Sequence, residues 1–416
     1  MIDSKAVHAT YKHSISAGLA RTYKFTSAGE VEVSAEGMYV TTNTGKRYLD
    51  MAGGYGVFSL GHCHPEVLAA LIRQAHKMPM STRAFMNPVT AELSETLCRL
   101  LPQDTVWKAF LVNSGTEAVE GALKLAYATT KRTCIVAMNQ GFHGKSLGSL
   151  SVMGKEAYRE PFNGVIHADV RRVPFGDLQA IEAVVDETVA AVILEPVIGE
   201  GGIRVPPPNY LRGVRRHCTL TGSLVIYDEI QCGMARTGQM LAFENWQHCA
   251  PDMITLGKAL SGGFVPCAAL VYNELAGAAF QRRPLLHTST FGGGQLACAV
   301  GLTTIEILQR DRLAERAKFI GDELHLKLDD LARTYPHILK EVRGLGLMIG
   351  LECQNEGIAG RIIMEAMKRG VILAPALSQQ AVIRLEPPLI IEPAHVMTAL
   401  EVIQDSIIET ERAFKL

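Results

Sequence analysis

The sequence predicts an α/β protein: a large, mostly parallel-sheet domain followed by a smaller α+β domain. Short runs rich in Val and Ile recur at 134–138, 189–194, 223–227, 252–256 and 266–272, with helical patterns between several of them. From about Leu296 the texture changes to long helical patterns. At 416 residues and 48% apolar side chains, the chain can bury a large core, and its length favours two or more domains.

The short runs are too brief for ordinary helices, and buried strands alternating with helices make an α/β sheet. Each is followed at once by polar or Gly-containing sequence, which is where such a sheet places its site. Further along, Leu313, Ala317, Ile320, Leu324 and Leu328 recur at spacings of three or four residues and predict a helix. A Gly-punctuated strand is expected from Val342 to Cys353, a helix near 357–369, apolar runs at 371–375 and 381–385, and a closing helix after Pro393. The expected organisation is an N-terminal segment, 1–45, packing with the small domain, a large domain, 46–300, and a small domain, 301–416.

Lys and Arg total 41 against 42 Asp and Glu, so no net field attracts nucleic acid or an anionic membrane. Clusters such as Arg215-Arg216-His217 and Arg282-Arg283 read as solvated faces. The nine cysteines are spread singly, without a CxxC pair or metal-ligand spacing, which predicts no metal and a reducing cytoplasm. The opening residues lack a charged head followed by an apolar run, and about 18 successive apolar residues occur nowhere. Neither secretion nor membrane spanning is expected.

Ala109-Phe110-Leu111-Val112 runs into Asn113-Ser114-Gly115-Thr116-Glu117 and then into a helix with Ala118, Ala122, Leu125 and Ala126 on one face. Ser114 and Glu117 have capping-box spacing, and the N–H groups of Gly115 and Thr116 suit a phosphate; the segment reads equally as a capped helix. Asp228 closes the run 223–227, where an Asp is ordinarily a cap or turn former. Lys258 follows Met253-Ile254-Thr255-Leu256-Gly257, in apolar surroundings at another strand end, where a lone lysine ordinarily snorkels.

Together these three features meet the needs of pyridoxal phosphate, whose phosphate, ring nitrogen and aldehyde each require a different partner. The Asp keeps the ring nitrogen protonated, and burial lowers the Lys pKa so that its amine can act as nucleophile and then base. Phe142 and His143, after the 134–138 strand, offer a ring to stack on the cofactor, although Phe142 alone would read as core. Glu195 and Glu200 follow the 189–194 strand at the same rim, where either would otherwise pair with surface cations.

From about Tyr39 to Pro393 the sequence resembles the class III, ornithine-type aminotransferases of fold type I. The matching motifs are Asp50 through Gly61-His62-Cys63-His64-Pro65, Asn113 to Ala118, Phe142-His143-Gly144, Glu195-Pro196, Asp228-Glu229-Ile230-Gln231, Arg236-Thr237-Gly238, Pro251-Asp252 to Lys258, and His287 to Gly293. The resemblance implies that Gly115 and Thr116 bind the phosphate, Phe142 stacks on the ring and Asp228 pairs with its nitrogen. It also implies that Gln231 lies near the phenolic oxygen and that Lys258 forms the Schiff base. Ser114, His143 and Glu195 complete the expected cofactor set. Thr290, which alone would be a loop hydroxyl, is similar to the residue that reaches the phosphate of a neighbouring subunit, implying a homodimer with shared active sites.

The segments 142–148, 55–58 and 384–388 look most like those of putrescine-type diamine aminotransferases, and ornithine-type enzymes usually lack an acid at Glu386. By the same resemblance Arg384 holds an α-carboxylate, Glu200 neutralises it, and Tyr55 joins them as a substrate-binding residue. The implied reaction is ping-pong transamination between a diamine or ω-amine and an α-keto acid such as 2-oxoglutarate, or the reverse onto an aldehyde. The alternatives are an ornithine, acetylornithine or 4-aminobutyrate type of ω-amino acid aminotransferase, one acting on a larger biosynthetic aldehyde or ketone, or an aminomutase, decarboxylase or phospho-lyase. A catalytically silent scaffold would be expected to have lost Lys258 or Asp228. The sequence departs from the family at Ile198, usually Gln, and at Gly294-Gln295, usually Asn-Pro.

Overall fold

The computed structural model describes residues 3–27 and 29–415; residues 1, 2, 28 and 416 of the expected segments lie outside the described residues. Three short strands come first, β1 (Glu32–Glu36), β2 (Tyr39–Thr42) and β3 (Arg47–Asp50), paired as an antiparallel meander.

Seven strands then build the main sheet: β4 (Trp107–Val112), β5 (Cys134–Met138), β6 (Val170–Val173), β7 (Val189–Leu194), β8 (Leu224–Asp228), β9 (Met253–Leu256) and β10 (Ala268–Asn273). Their order is β4-β10-β9-β8-β7-β5-β6. β5 and β7 are buried along their whole length, as expected of apolar runs covered on both faces. Only β10 runs antiparallel to its neighbours, β4 and β9. It returns from β9 through the tight turn Lys258–Ser261, a connection without the helical crossover that parallel pairing requires.

The main sheet is followed by β11 (Leu339–Leu345), β12 (Met348–Cys353), β13 (Val371–Ile372), β14 (Ala374–Pro375) and β15 (Val382–Leu385). Four of them form the sheet β11-β12-β15-β14, while β13 adds in parallel to β3, pairing Val371 with Leu49 and Ile372 with Asp50. The helices that matter most here are α1 (Gly115–Thr130), α2 (Gln295–Arg310), α3 (Leu313–Thr334), α4 (Glu356–Lys368) and α5 (Pro393–Phe414). The predicted apolar stripe of α3, from Leu313 to Leu328, is buried in full.

The single strand expected from Val342 to Cys353 is a hairpin instead. Gly346, at φ 56, turns the chain between β11 and β12, and a Cβ there would stand 2.7 Å from the Arg236 carbonyl oxygen. β6 was not expected at all: its sequence, Val-Arg-Arg-Val, carries two charges on an edge strand. Among the described residues no helix is long and apolar enough to cross a membrane, and no group of His, Cys, Asp and Glu is arranged to hold a metal.

Candidate active site

Parallel strands deliver the candidate side chains to one end of the main sheet, where these strands have their carboxyl ends. Phe142 and His143 follow β5, Glu195 and Glu200 follow β7, Asp228 is the last residue of β8, and Lys258 lies two residues beyond β9. Because β5, β7, β8 and β9 share one direction, residues far apart in sequence converge.

Asp228 is buried and fixed on both oxygens. Its Oδ2 lies 2.8 Å from His143 Nδ1, and its Oδ1 accepts from Thr255 Oγ1 at 3.0 Å and from the Ile230 N–H at 3.2 Å. Burial alone would lower the His143 pKa, but the hydrogen bond and charge of Asp228, with Glu195 behind, raise it above the ordinary imidazole value. Glu195 accepts the N–H groups of Phe142 and Gly199, each at 2.9 Å, and so ties the Phe142 loop to the end of β7. Burial pushes its carboxyl up to about 7.

Lys258 has a φ of 41°, in the left-handed region that few non-glycine residues occupy and that is often associated with functional sites. Its Nζ donates to Gln231 Oε1 at 2.7 Å, while Gln231 Nε2 donates to the two Glu386 oxygens at 2.9 and 3.0 Å. An ammonium only donates and a carboxylate only accepts, so these partners dictate which way the amide points. A Cβ on Gly199 would fall 2.6 Å from Gln231 Oε1, so this position leaves the amide its room. Burial lowers the Lys258 pKa below the ordinary lysine range, against the opposing charges of Glu200 and Glu386.

At the other end of the site, α1 begins with the predicted capping box. Ser114 Oγ accepts from the Glu117 N–H at 3.4 Å, and Glu117 Oε2 accepts from Ser114 N at 3.0 Å and Asn113 N at 2.7 Å. Among the described residues the N–H groups of Gly115 and Thr116 have no acceptor. They stand at the positive end of a 16-residue helix. Thr116 Oγ1 is set by Ser146 Oγ at 2.6 Å and Ser149 Oγ at 2.7 Å. A Cβ on Gly115 would meet Ile230 Cδ1 at 2.6 Å, which places this helix start against the residue two past Asp228. Free amides, a buried carboxylate and a buried amine therefore fit the phosphate, ring nitrogen and aldehyde of pyridoxal phosphate.

Arg384 and Glu200 form the rim. Arg384 Nη1 donates to Glu200 Oε1 at 2.6 Å, with side-chain exposures of 1% and 4%. Arg384 also donates to the Pro375 carbonyl at 3.0 Å, and Tyr55 covers its guanidinium at 4.7 Å. Tyr55 sits in four consecutive left-handed residues, Gly53 to Gly56, and a Cβ on Gly53 would be 2.1 Å from the Glu386 carbonyl oxygen. Thr290 stands apart: it is exposed, its side chain has no partner among the described residues, and it lines a cavity of about 330 Å³ with Asn113, Glu117 and His287.

The profile of the family Aminotransferase class-III matches residues 27–407. The chain belongs to the class III aminotransferases. It is similar to the ornithine aminotransferase of Toxoplasma gondii, whose active site holds pyridoxal phosphate at partial occupancy: 30% identity over 100% of this chain and 96% of that one, with a TM-score of 0.89. A transaminase from the marine bacterium Virgibacillus shares 27% identity over 99% and 100% of the two chains, with a TM-score of 0.90. An amine transaminase from an uncultivated Pseudomonas species, solved in its PLP-bound form, shares 28% over 92% and 95%, with a TM-score of 0.85. The fold is that of the fold type I PLP-dependent transferases and the cofactor is pyridoxal phosphate, both as expected from the sequence.

Two features of this aminotransferase site escaped the sequence reading. Glu386 was noted only as a motif acid, although its spacing of two from Arg384 at the end of β15 puts both on one face. The contact between Asp228 and His143 had no local signal, since 85 residues separate them. Ile198 is buried in the core and pairs with Arg204 through its backbone, so it presents no polar group where the family usually has Gln. Gly294 caps α2, and the buried Gln295 donates to Thr90 Oγ1 at 3.2 Å.

Proposed function

We propose that this aminotransferase takes an amino group from a diamine or other ω-amine such as putrescine and passes it to an α-keto acid such as 2-oxoglutarate, or runs in reverse onto an aldehyde. The observation that carries this reading is the buried Arg384–Glu200 pair at 2.6 Å with the Glu386 carboxylate beside it. While Glu200 neutralises Arg384, the pocket suits a donor without an α-carboxylate. When a keto acid arrives, its carboxylate displaces Glu200 and takes the guanidinium fork.

Bound pyridoxal phosphate supplies the carbonyl that takes up the amine and the ring that accepts the electrons of the broken C–H bond. Lys258 is the residue for its aldehyde, and its Nζ moves the proton between the carbon atoms concerned, helped by the lowered pKa. Asp228, buttressed by His143, holds the ring-nitrogen proton. Gly115, Thr116 and the Ser114 cap receive the phosphate, Phe142 covers the ring and Glu195 fixes the Phe142 loop. Gln231 orients Nζ.

A homodimer completes the reading, with Thr290 reaching the partner's phosphate site. Supporting it, Phe85, Met86, Leu285 and Phe291 are exposed apolar side chains, and Arg83 ties the 83–86 segment to the Thr290 carbonyl at 2.9 Å. The nine cysteines are all free and mostly buried, in keeping with the cytoplasm. The division at residues 45 and 300 is part of the same proposal; residue 300 lies within α2, and residue 45 in the turn between β2 and β3.

The test is half-reaction spectroscopy on the purified protein with a panel of amines. Diamine-driven conversion of the cofactor to its amine form, without carbon dioxide or phosphate release, supports the reading; an inert diamine overturns it. Lys258→Ala should abolish the absorbance band near the visible edge that arises from the covalent cofactor. An ω-amino acid donor is the second reading, favoured by the 30% identity to an ornithine aminotransferase. In that case ornithine outperforms putrescine in the same panel.

A further inference from the structure

Glu386 is the most buried carboxylate of the site, with no exposure, yet no cation is its own. Its side-chain hydrogen bonds come from one neutral amide, Gln231 Nε2, at 2.9 and 3.0 Å. The nearest guanidinium nitrogen, Arg384 Nη1, is 3.7 Å away and donates to Glu200 at 2.6 Å. The backbone holds Glu386 where it is: its N–H donates to the Met51 carbonyl at 2.9 Å, and Arg236 Nη1 donates to the carbonyl of the next residue, Pro387, at 2.5 Å.

The charges decide what such a carboxylate is for. Arg384 and Glu200 cancel, so the charge of Glu386 is balanced by the Lys258 ammonium across the Gln231 amide and, without a hydrogen bond, by the buried Arg236 guanidinium, which also faces Asp50. A buried charge without a partner costs several kcal/mol. When Lys258 is committed to the cofactor, the nearer part of that balance is removed, Glu386 keeps only a neutral amide as its hydrogen-bond partner, and the pocket favours an incoming cation.

We propose that Glu386 is the specificity-determining residue of this aminotransferase, selecting donors that carry a second ammonium group. This rests on the diamine reading above and names the group responsible for it. Glu386 acts through Gln231 and through its charge, so it is a positioning residue that selects by electrostatics, with no proton transferred to or from it.

The test compares a dication with a monocation of matching length on the intact holoenzyme. Tertiary amines cannot form the covalent link, so calorimetric binding of N,N,N′,N′-tetramethyl-1,4-diaminobutane and of N,N-dimethylbutylamine reads recognition alone. Turnover of 1,4-diaminobutane and butylamine reads KM against kcat. In the native protein the dication is expected to bind at least about tenfold tighter, roughly 1.4 kcal/mol. In Glu386→Gln the ratio should fall to about unity, with the change in KM, and Glu386→Asp, which keeps the charge, should restore most of it.

If Glu386→Gln weakens both amines alike, or leaves the ratio intact, the assignment of Glu386 is overturned while the diamine reading stands. If the native protein itself shows no preference for the dication, both fall together.

Discussion

His143 Nδ1 and Asp228 Oδ2 lie 2.8 Å apart, with side-chain exposures of 0% and 3%. This pair closes the Asp228 carboxylate from water, and the proposed site gives it one task, to face the cofactor ring. Removing its charge while keeping its shape isolates that task. Asp228→Asn should lower the single-turnover rate by about 10²- to 10³-fold, the size seen when one preorganised electrostatic group is lost. Cofactor should still bind. Stopped-flow spectroscopy with a fixed amine checks it, and a rate within tenfold of native would remove Asp228 from the proposed machinery.

The Arg384–Glu200 pair makes a separate prediction about the two halves of the reaction. Arg384→Ala should raise KM for 2-oxoglutarate by about 30- to 100-fold, since a bidentate, charge-assisted contact is lost. The amine half-reaction should change far less. Measuring the half-reactions separately decides it: equal damage to both means that Arg384 supports the pocket instead of binding the acid. Leaving Glu200 without its partner also buries an unpaired carboxylate, so a lowered Tm is expected alongside.

What the sequence made legible follows from range of interaction. Asp228 and Lys258 stand out because each interrupts a local apolar run at a strand end, and the α3 stripe stands out because its period is local. The α1 capping box is read within four residues. By contrast, the chain Lys258–Gln231–Glu386 joins three segments separated by 27 and 155 residues, and the local spacing of Glu386 points to Arg384 alone, not to Gln231. The left-handed turn from Gly53 to Gly56 shows its glycines in the sequence, but the reason for Gly53, the Glu386 carbonyl, is visible only when the strands are assembled. The hairpin at Gly346 was misread as one strand because a turn of two residues leaves the apolar texture on both sides unbroken.

Glu229 carries a prediction about pH. It is fully buried and accepts from the Phe243 N–H at 2.8 Å and the Ala242 N–H at 2.5 Å, and burial outweighs both, pushing its carboxyl from 4.5 up to about 8. The folded state therefore keeps a proton that the unfolded chain releases. Stability is complete below about pH 4.5 as far as this group is concerned and is lost as pH rises toward 8, by at most about 1.4 kcal/mol per pH unit. Glu195, pushed up to about 7, adds a loss of the same sign over a narrower window. Urea unfolding from pH 5 to 8.5 should show native stability falling, with a shallower slope in Glu229→Gln. Parallel slopes in the two proteins would show that Glu229 is already ionised when folded.

The start of α1 allows the cofactor's phosphate to be tested apart from its ring. Gly115 has an ordinary backbone conformation, so Ala at this position carries no backbone strain and, if anything, favours the helix. The added methyl, however, would stand 2.6 Å from Ile230 Cδ1 and 3.1 Å from both Cγ1 and Cγ2 of that side chain. Ile230 follows Asp228 by two residues, and its N–H is bonded to Asp228 Oδ1 at 3.2 Å. Relief of the clash therefore moves either the free N–H groups of Gly115 and Thr116 or the segment that holds Asp228, the carboxylate proposed for the ring nitrogen. In both cases the distance between the proposed phosphate cup and the carboxylate would no longer match one rigid molecule. Gly115→Ala should weaken retention of pyridoxal phosphate by about tenfold or more, as expected when about 1 to 3 kcal/mol of overpacking falls on a binding site, while the cofactor-free protein unfolds near the native temperature. Dialysis followed by cofactor absorbance, with calorimetry on both forms, separates the two effects. Undiminished retention in Gly115→Ala would mean that the phosphate does not sit at this helix start.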